Sequence, residues 1–332
     1  MRVREGSGAV TSLVVELDPE FVDAPPQPDP SAPPETFPSG THAERVTTAR
    51  RMRAADTGQF GPVPAPGVER SELSVPTRAG SIAARLYRPH SVSAPGAGFA
   101  VWVHGGGFVL GDLDTAEHTA AELARCSGLP VISLDYRRAP EHPFPAAVED
   151  AQDAVTWLTG EGGAGLGLRG PCAVAGDSAG ASTALAVCQL AVRGEVPRPA
   201  FALLAYPDVD HVTTRADERD EIGLLFERSY LPDDAARTDP LVSPVLASPE
   251  VLAALPPSLL LIAERDGFRA GEERFAERVR AAGGPLTVLT AGGMPHGFLD
   301  QTWRSPVART HAVAAFGLVG AAVREAAAAD VG

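Results

Sequence analysis

The residues best placed for chemistry in this sequence are Gly176-Asp177-Ser178-Ala179-Gly180, which follow a short apolar run, Cys172–Ala175, and lead into an alanine-rich helical stretch. A serine at a tight strand-to-helix turn is held in a strained backbone conformation with its hydroxyl presented above a sheet. Glycines on both sides let neighbouring chain approach it closely. A serine hydroxyl is a weak nucleophile, so it needs a base, and the base needs an orienting acid. On a turn of this kind the partners follow in the order Ser, Asp or Glu, His, on turns after later strands. Of the 8 histidines only His211, His296 and His311 lie beyond the serine. His311 falls in a helical pattern and His211 in a charged segment. His296 follows the last predicted strand, which is where a base would reach Ser178. The preceding strand ends at Glu264 and Asp266, and Asp266 is favoured because it starts the turn before Gly267.

A second segment, His104-Gly105-Gly106-Gly107-Phe108, follows the apolar strand 99–103. Three glycines there are a flexible loop or a place where backbone N–H groups face a ligand. Attack of a serine on a carbonyl creates an oxyanion, and N–H donors fixed in advance around it stabilise that charge. A phosphate cradle is the competing reading. It fails, because no Walker lysine follows and the sequence contains no lysine.

These groups need a scaffold that brings turns from distant parts of the chain together. Apolar or β-branched runs occur at 69–75, 81–87, 98–103, 130–135, 172–176, 200–205, 258–263 and 285–290. Several are continuous apolar runs, as expected of strands covered on both faces. Helical patterns lie between them at 115–126, 145–158, 179–193, 271–282 and 307–327. The alternation predicts a mostly parallel eight-stranded sheet flanked by helices, with the first two strands as an edge hairpin. Residues 67–207 and 239–332 are expected to form this domain. Residues 208–238 are charged, follow a strand end and break the rhythm, so they are expected to insert as a cap. Residues 1–66, proline-rich at 23–38, are expected to be an irregular or partly helical part of the same cap.

Composition narrows the remaining classes. With 332 residues and 44% hydrophobic content the chain can fill one large core. A net charge of −14 repels phosphate backbones and anionic lipid, so nucleic acid is not an expected partner. Three cysteines without metal-ligand spacing read as reduced thiols, and neither a metal nor an organic cofactor is expected. The N-terminal apolar run is too short and charged for a signal peptide. The longest apolar stretch, 312–323, falls short of the roughly 20 residues of a spanning helix, so the chain is expected to be cytoplasmic, without membrane insertion.

Taken in order, the blocks HGGGFVLGDLDT (104–115), LDYRRAPEHPFPAAVED (134–150), GDSAGAS (176–182), TDPLVSP (238–244), ERDGFRAGEE (264–273) and HGF (296–298) resemble the hormone-sensitive-lipase-like esterases, the bacterial family IV carboxylesterases. The resemblance spans roughly residues 68–325, and LDPEF (17–21) resembles the start of that family's cap. It implies the α/β-hydrolase fold, Ser178 as nucleophile, Asp266 as acid and His296 as base. It also implies an oxyanion hole made by the N–H groups of Gly106, Gly107 and Ala179, and structural roles for His104, Glu141, His142 and Asp150. A short-to-medium acyl ester is the implied substrate and a homodimer the implied assembly. Two blocks depart from the family pattern: Gly267-Phe268-Arg269-Ala270-Gly271 replaces P-L-R-D-E after the acid, and Arg138 replaces a leucine. A lyase, cyclase or acyltransferase using the same pocket, or a receptor that has lost its base, are the alternatives. All three catalytic groups are present here.

Overall fold

The computed structural model describes residues 12–14, 39–60, 66–91, 96–213 and 221–329. Its sheet contains Ser12–Val14 (β1), Val68–Thr77 (β2), Gly80–Pro89 (β3), Phe99–Val103 (β4), Val131–Leu134 (β5), Cys172–Asp177 (β6), Phe201–Ala205 (β7), Ser258–Arg265 (β8) and Leu286–Pro295 (β9). The eight expected strands are all present. The three-residue β1, from the segment read as irregular, adds a ninth beside β9. The strand order is β1-β9-β8-β7-β6-β4-β5-β3-β2, and β3 alone runs against its neighbours. The β2–β3 hairpin closes through Arg78-Ala79, with Thr77 paired to Gly80.

The helices are His42–Phe60 (α1), Glu117–Ser127 (α2), Ala146–Thr159 (α3), Glu161–Gly165 (α4), Ala179–Val192 (α5), Glu221–Tyr230 (α6), Pro249–Ala253 (α7), Arg269–Ala282 (α8) and Pro306–Ala329 (α9). Side chains of β4 alternate between two apolar layers. Phe99, Val101 and Val103 point to the layer shared with α3, α5 and α8, while Ala100 and Trp102 point to that of α2 and α9. This is the period-2 alternation of a strand covered on both faces, and it explains why β4 reads as one continuous apolar run. α9 is longer than the apolar stretch that marks it in the sequence. By length and composition it is enough to cross a membrane, but Ala312, Phe316, Val319 and Val323 line its inner side within the second layer.

Chain order reverses at β4 and β6. From β4 the sheet grows through β5 in one direction and through β6 to β9 in the other. In open α/β sheets the crevice outside the strand ends at such a point is where ligands sit. The HGGG loop leaves β4 and the Ser178 turn leaves β6, so both open at this crevice. A third, smaller apolar cluster lies above them, where Val46 of α1 and Leu225 and Tyr230 of α6 pack on Phe108, Val109 and Ala179. α1 and α6 are further joined by His42 Nε2 to Ser229 Oγ at 2.9 Å and by the Arg45–Glu221 ion pair at 3.2 Å. The proline-rich residues 23–38 and the LDPEF block lie outside the described residues, as do 214–220.

Candidate active site

β6 enters the turn fully buried and Ser178 leaves it with φ 51° and ψ −124°, a left-handed conformation that costs a non-glycine residue roughly 1–3 kcal/mol. The turn is pinned by the Ser178 N–H donating to Ala205 O at 2.8 Å. Its flanking glycines are explained by proximity. A Cβ on Gly180 would lie 2.0 Å from Val103 O and one on Gly176 would lie 2.5 Å from Gly180 C, so only hydrogen fits where β4 meets the turn.

β8 and β9 deliver the partners. The two strands stay paired past an irregularity after Ala263, and Arg265 sits opposite Pro295. The residues that follow directly are Asp266 after β8 and His296 after β9. The sequence placed His296 in a loop after residue 290; β9 instead runs to Pro295 and carries the histidine directly to the site. His296 Nε2 is 2.8 Å from Ser178 Oγ, and His296 Nδ1 is 2.7 Å from Asp266 Oδ2. The Asp266 side chain is 2% exposed against 27% for His296, so the acid is sealed and the base faces the crevice. The Phe268 N–H donates to Asp266 Oδ1 at 2.9 Å, leaving Oδ2 for the imidazole. Tyr206 and Phe268 meet the ring edge-on at 5.1 and 5.2 Å. An imidazole so held can accept the serine proton through Nε2 while the carboxylate stabilises the resulting cation.

Gly106, Gly107 and Phe108 all have positive φ, 125°, 60° and 63°, which turns the chain tightly after β4. Leu110 and Val109 N–H groups close that turn onto Gly106 O at 2.7 and 3.1 Å. Ala179 opens α5, where an N–H has no intrahelical acceptor. The Phe226 ring from α6 covers Gly107 so closely that a Cβ there would fall 2.1 Å from its Cδ2. His104 stacks on Tyr136 with ring centres 4.4 Å apart, and burial pushes its imidazole down to about 4, so it stays neutral and structural.

A family described as the alpha/beta hydrolase fold matches residues 100–300. A carboxylic ester hydrolase of Mycobacterium tuberculosis, LipN, is 41% identical over 270 residues, 77% of this chain and 70% of that protein. The chain belongs to the hormone-sensitive-lipase-like α/β hydrolases. An ethyl acetate hydrolase of Pseudomonas putida is 36% identical over 242 residues, 69% of this hydrolase and 75% of the relative. Among solved structures, a thermostable esterase from Pseudomonas putida superposes with a TM-score of 0.78 at 28% identity, covering 86% and 93% of the two chains. The esterase of Pyrobaculum calidifontis follows at 0.73 and 31%, covering 84% and 91%.

Other residues singled out in the sequence lie elsewhere in the hydrolase. Glu264 faces outward and accepts the Gly293 N–H at 2.6 Å. His211 is buried between Asp208 and Glu227 at 3.4 and 3.6 Å, and His311 lies in the core beside Phe298. Glu141 is held by Arg50 of α1 at 2.7 and 2.8 Å, and Asp150 by Arg137 at 2.9 Å. The atypical Arg138 donates to Gly111 O and so braces the loop after HGGG. No group of three or more His, Cys, Asp or Glu side chains able to hold a metal occurs among the described residues. A cavity of about 680 Å³ lies behind the loop, lined by Arg50, Arg53, Val109, Tyr136 and Arg138 and not by Ser178 or His296. Asp177, Arg53, Tyr206, Phe226 and Phe268 also shape the site. Asp177 sits inside the serine motif and Phe268 inside the block after the acid; no local pattern marks Arg53, Tyr206 or Phe226.

Proposed function

We propose that this chain is a serine carboxylesterase that hydrolyses short-to-medium acyl esters through an acyl-enzyme on Ser178. His296 takes the Ser178 proton as Oγ attacks the ester carbonyl, and the N–H groups of Gly106, Gly107 and Ala179 receive the oxyanion. Collapse of the tetrahedral adduct breaks the ester C–O bond, and His296 returns the proton to the departing alcohol. Water, deprotonated by His296, then attacks the acyl carbon and releases the acid, restoring Ser178. Asp266 holds the imidazole tautomer throughout. α1 and α6 form the cap over the acyl group, with Phe226 bounding the space beside Gly107. The observation that carries this reading is the unbroken chain from Ser178 Oγ through His296 to Asp266. Retention of the base favours hydrolysis over a receptor or a lyase.

The test is turnover of p-nitrophenyl esters with acyl chains of two to twelve carbons by wild type and Ser178→Ala. Robust wild-type turnover that falls by on the order of 10⁶ in the variant is expected, as for loss of a catalytic serine. Turnover surviving in the variant sinks the assignment of Ser178. In this reading the protein is cytoplasmic, which its free Cys126, Cys172 and Cys188 support, and the net charge of −14 argues against nucleic-acid partners. A second copy of the chain, meeting it through α9, completes the proposal.

A further inference from the structure

Asp177 takes no part in the steps above, yet it is buried beside the nucleophile and its Oδ1 accepts the Gly105 N–H at 2.8 Å. The carboxylate fills the space a side chain at residue 105 would need, since a Cβ there would lie 2.4 Å from Asp177 Oδ2. Gly105 immediately precedes Gly106 and Gly107, whose N–H groups are proposed above to receive the oxyanion. The bond therefore fixes the point from which the donors of the loop extend.

Asp177, His104 and Gly105 line a small, partly open space together with Asp300 and Arg53. Asp300 lies on the turn Phe298–Gln301, just after His296, and Arg53 reaches it from α1 with Nη2 2.5 Å from Oδ2. The charged groups acting on Asp177 are few. Burial first, then the charge of Asp300, push its carboxyl up to about 7, while the Gly105 N–H, Arg53 and His296 pull it back. Tyr136 and Tyr206 stay neutral, their hydroxyls pushed up by burial, and His104 is neutral as well. Arg53 thus supplies a cation beside two neighbouring carboxyl groups, one of them buried, an arrangement that would otherwise disfavour ionising both.

We infer that Asp177 is a positioning residue for the oxyanion loop and that Arg53 of the N-terminal helix, paired with Asp300 beside it, supplies the compensating cation. Arg53 and Asp300 act on Asp177 by charge across the space they share, and the Asp177–Gly105 bond carries the effect to the loop. This role rests on the acyl-transfer reading of Ser178. A loop released from its anchor loses alignment with charge that develops only in the transition state, so the loss falls on kcat more than on KM.

The experiment compares kcat and KM on one p-nitrophenyl ester for wild type, Asp177→Ala, Asp177→Asn, Arg53→Gln, the Arg53→Gln/Asp177→Asn double variant and Ser178→Ala, with thermal melting to verify folding. Asp177→Ala is expected to lose about 10²-fold in kcat with KM within about threefold, the size of losing one oxyanion donor. Asp177→Asn keeps an acceptor oxygen of the same shape and is expected to recover to within about tenfold of wild type. Arg53→Gln is expected to lower kcat severalfold alone and to have little further effect beside Asp177→Asn, because an amide needs no nearby cation. Wild-type kcat in Asp177→Ala, or an Asp177→Asn as poor as Asp177→Ala, overturns the positioning role. Independent, multiplying effects of Arg53→Gln and Asp177→Asn overturn the link to α1. Activity persisting in Ser178→Ala overturns the acyl-transfer reading itself, so the two failures are distinct.

Discussion

Asp266 and Glu264 are two residues apart at the end of one strand, and their environments separate their roles. Asp266 is sealed, with one oxygen on the Phe268 N–H and the other on the imidazole; Glu264 is exposed and spends its carboxylate on the Gly293 N–H. Replacing Asp266 by asparagine puts an amide where the imidazole N–H must donate and selects the wrong tautomer. Asp266→Asn is therefore expected to lose on the order of 10³–10⁴ in kcat, whereas Glu264→Gln stays within about threefold. Steady-state kinetics on the same ester decides it, and equal losses would reject the assignment. Sequence order alone favours Asp266 because a residue that begins a turn is free to point out of the strand. The sequence could not show that β9 runs on to Pro295, because Gly292-Gly293-Met294-Pro295 reads as a loop by local propensity. Pairing with β8 past the irregularity overrides that propensity, and so carries His296 level with Asp266.

At the scale of elements, the strands of the sheet interior were legible because β4 to β8 are buried on both faces and so leave apolar runs, while the largely exposed β2 showed only as one arm of an edge hairpin. α6 lies within a segment whose charge marks it as outside the core, and its contact with the HGGG loop through Phe226 has no signature in spacing. β1 was missed for a similar reason: three residues paired at a sheet edge carry too little pattern to read. Close approach between elements is also invisible locally. Gly180 and Gly267 both lie within two residues of a proposed catalytic side chain, Ser178 and Asp266. A Cβ on Gly180 meets two backbone oxygens of β4 and the loop after it, at 2.0 and 2.5 Å, while one on Gly267 meets nothing within 4 Å. Gly180→Ala must push the nucleophile turn away from the oxyanion loop and is expected to cost about 3 kcal/mol or more, with activity lost. Gly267→Ala stiffens the unfolded chain without strain and is expected to be neutral or to gain about 0.4–1 kcal/mol. Urea unfolding of both variants checks the pair, and equal destabilisation would contradict the packing described.

For the whole molecule, the open question is what meets the outer side of α9. Between Arg309 and Arg324 the helix carries no charged residue, and Thr310, Val313 and Ala321 are exposed, with Val313 at 42%. An uncharged helix face of small side chains on a protein of net charge −14 is out of keeping with the rest of the surface, and contiguous apolar surface of this kind marks interaction sites. A second copy is the partner we propose, because an isologous contact places identical small residues opposite one another and lets two helices approach closely. Edge-to-edge pairing of β9 is a weaker route, since β1 already occupies Val288–Thr290. A cation at the centre of a two-fold contact faces its own copy, so Val313→Arg is expected to convert a dimer to a monomer while leaving kcat within about twofold, as the site lies at the strand ends away from this face. Light scattering after size exclusion at micromolar concentration reads the result. A monomeric wild type, or a Val313→Arg variant that remains dimeric, rules out α9 as the interface.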